Sequence, residues 1–358
     1  MRVYNFSAGP SMLPEEVLKE AQRDMLDYNN SGMSVLEMSH RSSAYDAIQV
    51  ECISLIKEVL NISDDYSILL VQGGASTQFE AVPLNLLNNI TDKADYVVTG
   101  NFSNKAYKEA QKFGDIHLAG SSADKNFTYI PKLETLDVRS DAKYLHVTAN
   151  NTIFGTKYSQ FPKHDCLVCD MSSNILSEVV DFNQFGLVYA GAQKNLGPAG
   201  VTVVIVKKSL LENGQKICPT MLKYSTQAST DSMYNTPPCY SIYIAMLNLR
   251  HLKNLGGVKA MQAINEEKAS LLYNFIDNSS FYKNTVEVNS RSIMNVPFVA
   301  PNDELNAKFV KEAGKNGLVS IKGHKLVGGM RASIYNNMPR EGVVALIDFM
   351  KKFEQENK

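Results

Sequence analysis

The stretch Gly186–Val206, GLVYAGAQKNLGPAGVTVVIV, governs the reading of the whole chain. Two strand-like runs, Gly186–Ala190 and Val201–Val206, flank a polar turn, and Lys194 sits inside it, just past the first run. Gly191, Gly197, Gly200 and Pro198 frame the turn tightly. A lone loop lysine is usually a solvated one. Upstream, though, Cys166–Asp170 reads CLVCD, an apolar strand that ends in an acid. An acid at one strand end and a lysine at the end of a neighbouring strand suit a pyridoxal phosphate (PLP) site. There the lysine forms a Schiff base and the acid keeps the pyridine nitrogen protonated.

Length and composition narrow the field. A chain of 358 residues exceeds what one core usually holds, so a larger and a smaller domain are expected. Hydrophobic content of 44% with 20% charged residues is that of a globular protein. The formal net charge of −1 provides no field for nucleic acid or an anionic membrane, so an anion must be caught by a local cluster. The opening MRVYNFSAGPSMLPEE lacks the apolar core of a secretory leader, and no apolar run is long enough to span a bilayer. Five scattered cysteines suit a reducing compartment, and a cytoplasmic location is expected. Cys166 and Cys169 lie three apart in a strand and so point to opposite faces; they are read as core residues and not as a metal or redox pair. The histidines show no ligand spacing, and no metal is expected.

Along the chain, residues 1–15 read as an extended arm broken by Gly9, Pro10 and Pro14. Residues 16–255 read as a large α/β domain. Its strands are expected at Tyr66–Val71, Tyr96–Thr99, Tyr144–Thr148, Leu167–Cys169 and Leu187–Ala190, with helices between them. That rhythm predicts a mostly parallel sheet flanked by helices. Residues 256–358 read as a small α+β domain. Ligands in such folds lie beyond the carboxyl ends of the strands. Ala75, Ser76, Phe102, Thr152, Asp170 and Lys194 all follow a strand, so they should converge on one edge. Gly73-Gly74-Ala75-Ser76-Thr77 joins a strand to a helix start, where free N–H groups bind phosphate. It is neither a Walker loop nor a dinucleotide fingerprint, which speaks against nucleotides.

The segments NFSAGPSMLP (5–14), EMSHRS (37–42), AVPLNLL (81–87), YAGAQKNLGPAG (189–200), NTPPCYSIY (235–243), KGHK (322–325) and GGMRASIYNNMPREGV (328–343) span nearly the whole chain. Together they resemble the phosphoserine aminotransferases, a class-V, PLP-dependent family of the aspartate-aminotransferase-like fold. The resemblance implies that Lys194 is the Schiff-base lysine and Asp170 the partner of the ring nitrogen. It implies that Ala75, Ser76 and Gln193 cradle the cofactor phosphate and that Thr152 meets the ring hydroxyl. Asn235 and Thr236 would reach the cofactor of a neighbouring subunit, which implies a homodimer with shared sites. Arg331 would clamp the substrate α-carboxylate, while His40, Arg41, His324 and Lys325 would form the distal-anion site. Three positions depart from the pattern. Phe102 stands where a tryptophan often stacks on the ring, Lys325 where arginine is common, and Ser76 where some relatives carry arginine.

The resemblance further implies amino transfer between O-phospho-L-serine and 2-oxoglutarate, giving 3-phosphohydroxypyruvate and L-glutamate. It also implies use of 4-phosphooxy-L-threonine, which links L-serine and pyridoxine (vitamin B6) synthesis. Two alternatives stand beside this reading. One is another enzyme of the fold, including a cysteine desulfurase, for which Cys239 is the candidate nucleophile. The other is a metabolite-binding regulator without chemistry.

Overall fold

A computed structural model describes residues 2–358. Runs rich in Val, Ile and Leu form its strands, and segments with apolar residues three and four apart form its helices. The chain opens with a two-residue strand, β1 (Tyr4–Asn5), then helices α1 (Glu15–Arg23) and α2 (Ser43–Val59). The alternating unit follows: β2 (Tyr66–Val71), α3 (Gly74–Leu86), β3 (Lys93–Val98), α4 (Asn101–Ala110) and β4 (Asp115–Ser121). Next come β5 (Leu145–Thr148), the short pair β6 (Asn150–Asn151) and β7 (Thr156–Lys157), β8 (Leu167–Asp170), β9 (Leu187–Gly191) and β10 (Thr202–Lys207). Helices α5 (Tyr224–Ser229), α6 (Cys239–Asn254) and α7 (Gly257–Asn278) lead to β11 (Asn295–Phe298) and α8 (Asp303–Lys315). Strands β12 (Leu318–Val319) and β13 (Met330–Ser333) and helix α9 (Arg340–Asn357) finish the fold.

Seven strands form one sheet in the order β2-β10-β9-β8-β5-β3-β4. β10 runs antiparallel to β2 and to β9, and the remaining neighbours are parallel. The fold is therefore α/β with a mostly parallel sheet, as the alternation of elements predicts. Because two antiparallel pairings separate β2 from β9, β2 points the same way as the parallel strands. The segments after β2, β3, β5, β8 and β9 consequently emerge at one edge. One face of the sheet packs into a core with α2 and α6, and the other packs against α3 and α4. Cys169 lies in the first of these cores and Cys166 in the second, so the pair is split by the sheet.

Three features differ from the sequence reading. First, β4 was not expected. It is an edge strand paired on one side only, to β3, and its half-polar run DIHLAGS is partly exposed. Second, where the sequence predicts a helix over Asn104–Phe113, α4 spans Asn101–Ala110. The Ser103 hydroxyl oxygen accepts the N–H groups of Thr99 and Gly100 at 3.0 and 2.9 Å and so caps the helix early. That puts Phe102 in the first turn. Third, the arm is not free. Tyr4 and Asn5 pair with Leu318 and Val319, and Phe6 is fully buried among C-terminal residues such as Val296, Phe309 and Leu346. The division into a large part (16–255) and a small part (256–358) is a proposal that this distribution of cores supports. α7 is shared between the parts: Val258 and Met261 pack in the first core, and Ala269 to Ile276 in the C-terminal one.

The edge of the sheet depends on one buried ion pair. Asp95 on β3 is fully buried and receives the Nε–H of Arg139 at 2.7 Å and the Arg139 backbone N–H at 2.6 Å. The same guanidinium donates to the carbonyls of Ala94 and Asp115, at 2.9 and 2.8 Å, tying β3 to β4. Arg139→Met would leave the Asp95 carboxylate buried without its partner, a loss of about 3 kcal/mol. The expected result is a clear fall in the urea midpoint, and an unchanged midpoint would show that the pair contributes nothing net.

Candidate active site

The ends of five strands, β2, β3, β5, β8 and β9, and the N-terminal arm enclose a cavity of about 470 Å³. Ala75, Ser76, Phe102, Thr152, Asp170, Gln193, Lys194, His324 and Arg331 all line it. A second cavity, of about 230 Å³, lies beside β2 and Pro237-Pro238 and carries no charged side chain.

Asp170 ends β8 and is buried. Its Oδ1 accepts the Ser172 N–H at 2.8 Å, and the Ser172 hydroxyl oxygen in turn accepts the Gly191 N–H at 3.1 Å. Burial pushes the carboxyl above its usual range, while the Ser172 hydrogen bonds and the Lys194 charge pull it back only in part. Lys194 follows β9 and donates from Nζ to the Thr152 hydroxyl at 2.7 Å. Burial lowers the ammonium to about 8, with Asp170 opposing the change and Arg331 adding to it. Its Nζ lies 5.4 Å from the centre of the Phe102 ring.

The same cavity carries anion-binding groups. α3 starts at Gly74 with no side chain capping it, which leaves its first N–H groups free. Gly73 has φ +96°, and a Cβ there would sit 1.9 Å from the Thr77 hydroxyl, so only glycine allows this entry to the helix. Arg331, on β13, donates to the Thr152 carbonyl at 3.4 Å, and its buried Nε has no partner. His324 accepts the Leu326 N–H at Nδ1, at 3.2 Å, which leaves Nε2 as the protonated nitrogen of the neutral ring. Burial lowers the His324 pKa, and the charges of Arg331, Lys325 and Lys105 lower it further. Among the described residues, Asp170 is the only acid lining the cavity, against Lys105, Lys194 and Arg331.

Not every expected residue comes here. Among the described residues of the single chain, His40, Arg41, Lys325, Asn235 and Thr236 do not line this cavity. Arg41 and Lys325 are exposed. Asn235 borders the apolar cavity instead, and the Thr236 carbonyl accepts from Gln72 Nε2 at 3.3 Å. Cys239 opens α6 with its Sγ 3.4 Å from the Pro237 carbonyl, and it too lies outside the cavity lining. Several lining residues were missed from sequence, Lys105, Ala8 and Gly9 among them. Lys105 lies one helical turn beyond Phe102, with Nζ 5.8 Å from that ring, and the three-residue spacing was the available signal. Ala8 and Gly9 bring the arm against the lysine: Ser11 donates to the Lys194 carbonyl, and a Cβ on Gly9 would meet Lys194 Cγ at 3.3 Å.

These groups fit a phosphorylated, aromatic carbonyl cofactor. The uncapped helix start fits its phosphate, the Phe102 ring a planar ring, Asp170 a protonated ring nitrogen, and Lys194 a carbonyl carbon. Only a neutral amine attacks a carbonyl. With the pKa lowered, the neutral fraction of Lys194 rises through about pH 8 rather than through the ordinary lysine value of about 10.4. The rate at which cofactor-free protein captures PLP, followed by absorbance, should climb from neutral pH and level off above about pH 9. A rate still climbing steeply through about pH 10 would contradict the assignment of Lys194 as a desolvated nucleophile.

Comparison with known proteins places this geometry. A family model described as Aminotransferase class-V matches residues 3–346. The phosphoserine aminotransferase of Bacillus thuringiensis subsp. konkukian is 52% identical over 359 residues, covering 100% of this chain and 99% of the relative. The same enzyme of Desulfosudis oleivorans is 52% identical, with 99% of each chain covered. Among solved structures, phosphoserine aminotransferase from Bacillus circulans subsp. alkalophilus superposes with a TM-score of 0.98 at 47% identity, covering 100% of this chain and 99% of that one. A PLP-bound phosphoserine aminotransferase from Trichomonas vaginalis gives 0.94 at 38% identity, covering 98% of this chain and 100% of that one. The chain thus belongs to the phosphoserine aminotransferases, PLP-dependent transaminases of the class-V aminotransferase family.

Proposed function

We propose that this protein transfers an amino group reversibly between O-phospho-L-serine and 2-oxoglutarate, giving 3-phosphohydroxypyruvate and L-glutamate. The observation that carries the reading is Arg331, which lines the cavity shared by Lys194 and Asp170 and whose buried Nε has no partner. Such a group calls for a carboxylate. PLP, when bound, supplies an electron sink for the carbanion formed at the substrate Cα. The α3 N-terminus, Ala75, Ser76 and Gln193 hold its phosphate, Phe102 stacks on its ring, and Thr152 meets the ring hydroxyl. Asp170 keeps the proton on the ring nitrogen. Lys194, as a free amine, would accept the substrate Cα proton on its Nζ and give it back in the reverse direction. Arg331 grips the α-carboxylate common to both amino donors.

The distal group separates the substrates. Phosphoserine carries close to two negative charges there and glutamate one. His324 and Lys105 face that end from within the chain, and His40, Arg41 and Lys325 complete it. Asn235 and Thr236 close the phosphate cradle of the neighbouring protomer in a homodimer. The homodimer reading rests on the family resemblance and on the single chain leaving Asn235, Thr236, His40 and Arg41 outside its own cavity. The same pocket chemistry admits 4-phosphooxy-L-threonine, which would place the enzyme in both L-serine and pyridoxine synthesis, in the cytoplasm. No helix among the described residues is long and apolar enough to cross a membrane.

A panel of amino donors with 2-oxoglutarate tests the reading, with kcat/KM measured for each variant. Arg331→Ala should lower kcat/KM for phosphoserine and for glutamate about equally, by about 10- to 100-fold, the worth of a charge-assisted pair. Arg41→Ala should lower phosphoserine use more than glutamate use, and Lys325→Arg should be nearly silent. Arg41→Ala with full phosphoserine activity, alongside an Arg331→Ala defect confined to phosphoserine, would reverse the two anion sites. No turnover of phosphoserine by the PLP-loaded wild type would overturn the reaction itself.

A further inference from the structure

Lys268, on α7, is fully buried, yet among the described residues no carboxylate pairs with it. Instead its Nζ faces four backbone carbonyls, those of Ile334, Tyr335, Asn336 and Met338, at 3.2, 2.8, 3.4 and 3.0 Å. An ammonium has three protons and no lone pair, so a ring of carbonyl oxygens is a site made for the charged form. Burial lowers its pKa to about 7, while hydrogen bonds to the four carbonyls favour the protonated form.

The turn that Lys268 gathers is the one that touches the Lys194 loop. The Asn336 backbone N–H donates to Asn195 Oδ1 at 3.0 Å, and Asn195 is the residue next to Lys194. The Asn336 side chain donates to the Leu176 carbonyl at 2.9 Å and accepts from Asn265 at 2.9 Å. Asn337 donates to Asn248 Oδ1 at 3.2 Å, and Asn248 in turn donates to the carbonyls of Asn195 and Leu196, at 3.0 and 2.8 Å. The same turn carries Tyr335, whose hydroxyl donates to the Ala8 carbonyl at 2.9 Å. Arg331 lies on the strand that leads directly into it.

We propose that Lys268 is a positioning residue for the amino-transfer site. Its ammonium fixes the Ile334–Met338 turn, and through Asn336 and Asn195 the turn sets where Lys194 stands relative to Arg331. The proposal rests on the assignment of Lys194 and Arg331 to the reaction. It needs no contact between Lys268 and substrate.

The test uses the PLP-loaded protein and two variants, Lys268→Met and Asn195→Ala, with their double mutant. Two readouts are taken: the pH at which the absorbance of the lysine-linked cofactor changes, and kcat against KM with phosphoserine. Each single variant should displace the absorbance titration by about half a pH unit or more and lower kcat about tenfold. KM should stay within about threefold, because the anion-binding groups remain. The double mutant should be no worse than the poorer single one, since both act along one path. Lower thermal stability in Lys268→Met with an unmoved absorbance titration would reduce the residue to a structural role and overturn the proposal, as would additive effects on kcat. Should Lys268→Met fail to fold, Asn195→Ala decides alone, and an unshifted titration there overturns it. The titration needs no substrate, so failure of the wild type to turn over phosphoserine would count against the reaction and leave this test standing.

Discussion

A carboxylate taken out of water must find compensation, and the arrangement around Asp170 follows from that need. Its hydrogen bonds to Ser172 and the charge of Lys194 offset burial only in part, and the acid stays above its usual range. Burial acts on Lys194 in the opposite direction and brings its amine toward neutrality. Burial thus moves the two groups in opposite directions from their ordinary values, each toward its neutral form. A third group that shares a proton with Asp170 and offers a carbonyl to Lys194 would satisfy both. Parallel strands make this possible. Their ends leave side chains facing one cavity, while the backbone polar groups behind them are used up in the sheet.

The site also depends on contacts far apart in sequence. Asn150, just past β5, donates to Ser173 and to Asn295 Oδ1, each at 2.8 Å, and Asn295 donates to Ser333 at 3.0 Å. All four side chains are buried. A buried polar chain with its partners in place resists rearrangement. It joins the carboxyl edge of the large sheet to the strand pair β11–β13 that carries Arg331. Arg331, the proposed partner of the α-carboxylate, is thereby held at a set distance from Lys194.

Much of this was legible in the sequence, and the reasons are specific. The strand ends at Asp170 and before Lys194 could be read because their apolar runs, though short, are continuous and buried on both faces. The arm could not be read as part of the C-terminal core. Nothing in the composition of NFSAGP tells that Phe6 is covered by residues some 300 positions away, although the pairing of Tyr4 with Leu318 decides it. β4 escaped because an edge strand with one solvated side lacks the continuous apolar run of its neighbours. Lys268 reads as an ordinary helix lysine, since its partners are main-chain oxygens and leave no mark in the sequence. His40, Arg41, Asn235 and Thr236 were singled out through family resemblance, and a single chain does not bring them to the cavity. The proposed homodimer would give them that place.

The central claim is that Asp170, desolvated at the end of β8, holds a proton on the ring nitrogen of bound PLP. The most direct measurement is the 15N chemical shift of that nitrogen in protein loaded with 15N-labelled cofactor, followed from about pH 6 to about pH 9. The account predicts a protonated nitrogen throughout that range in the wild type and its loss in Asp170→Ala. A neutral ring nitrogen in the wild type at about pH 7, or a protonated one that survives Asp170→Ala, would contradict it.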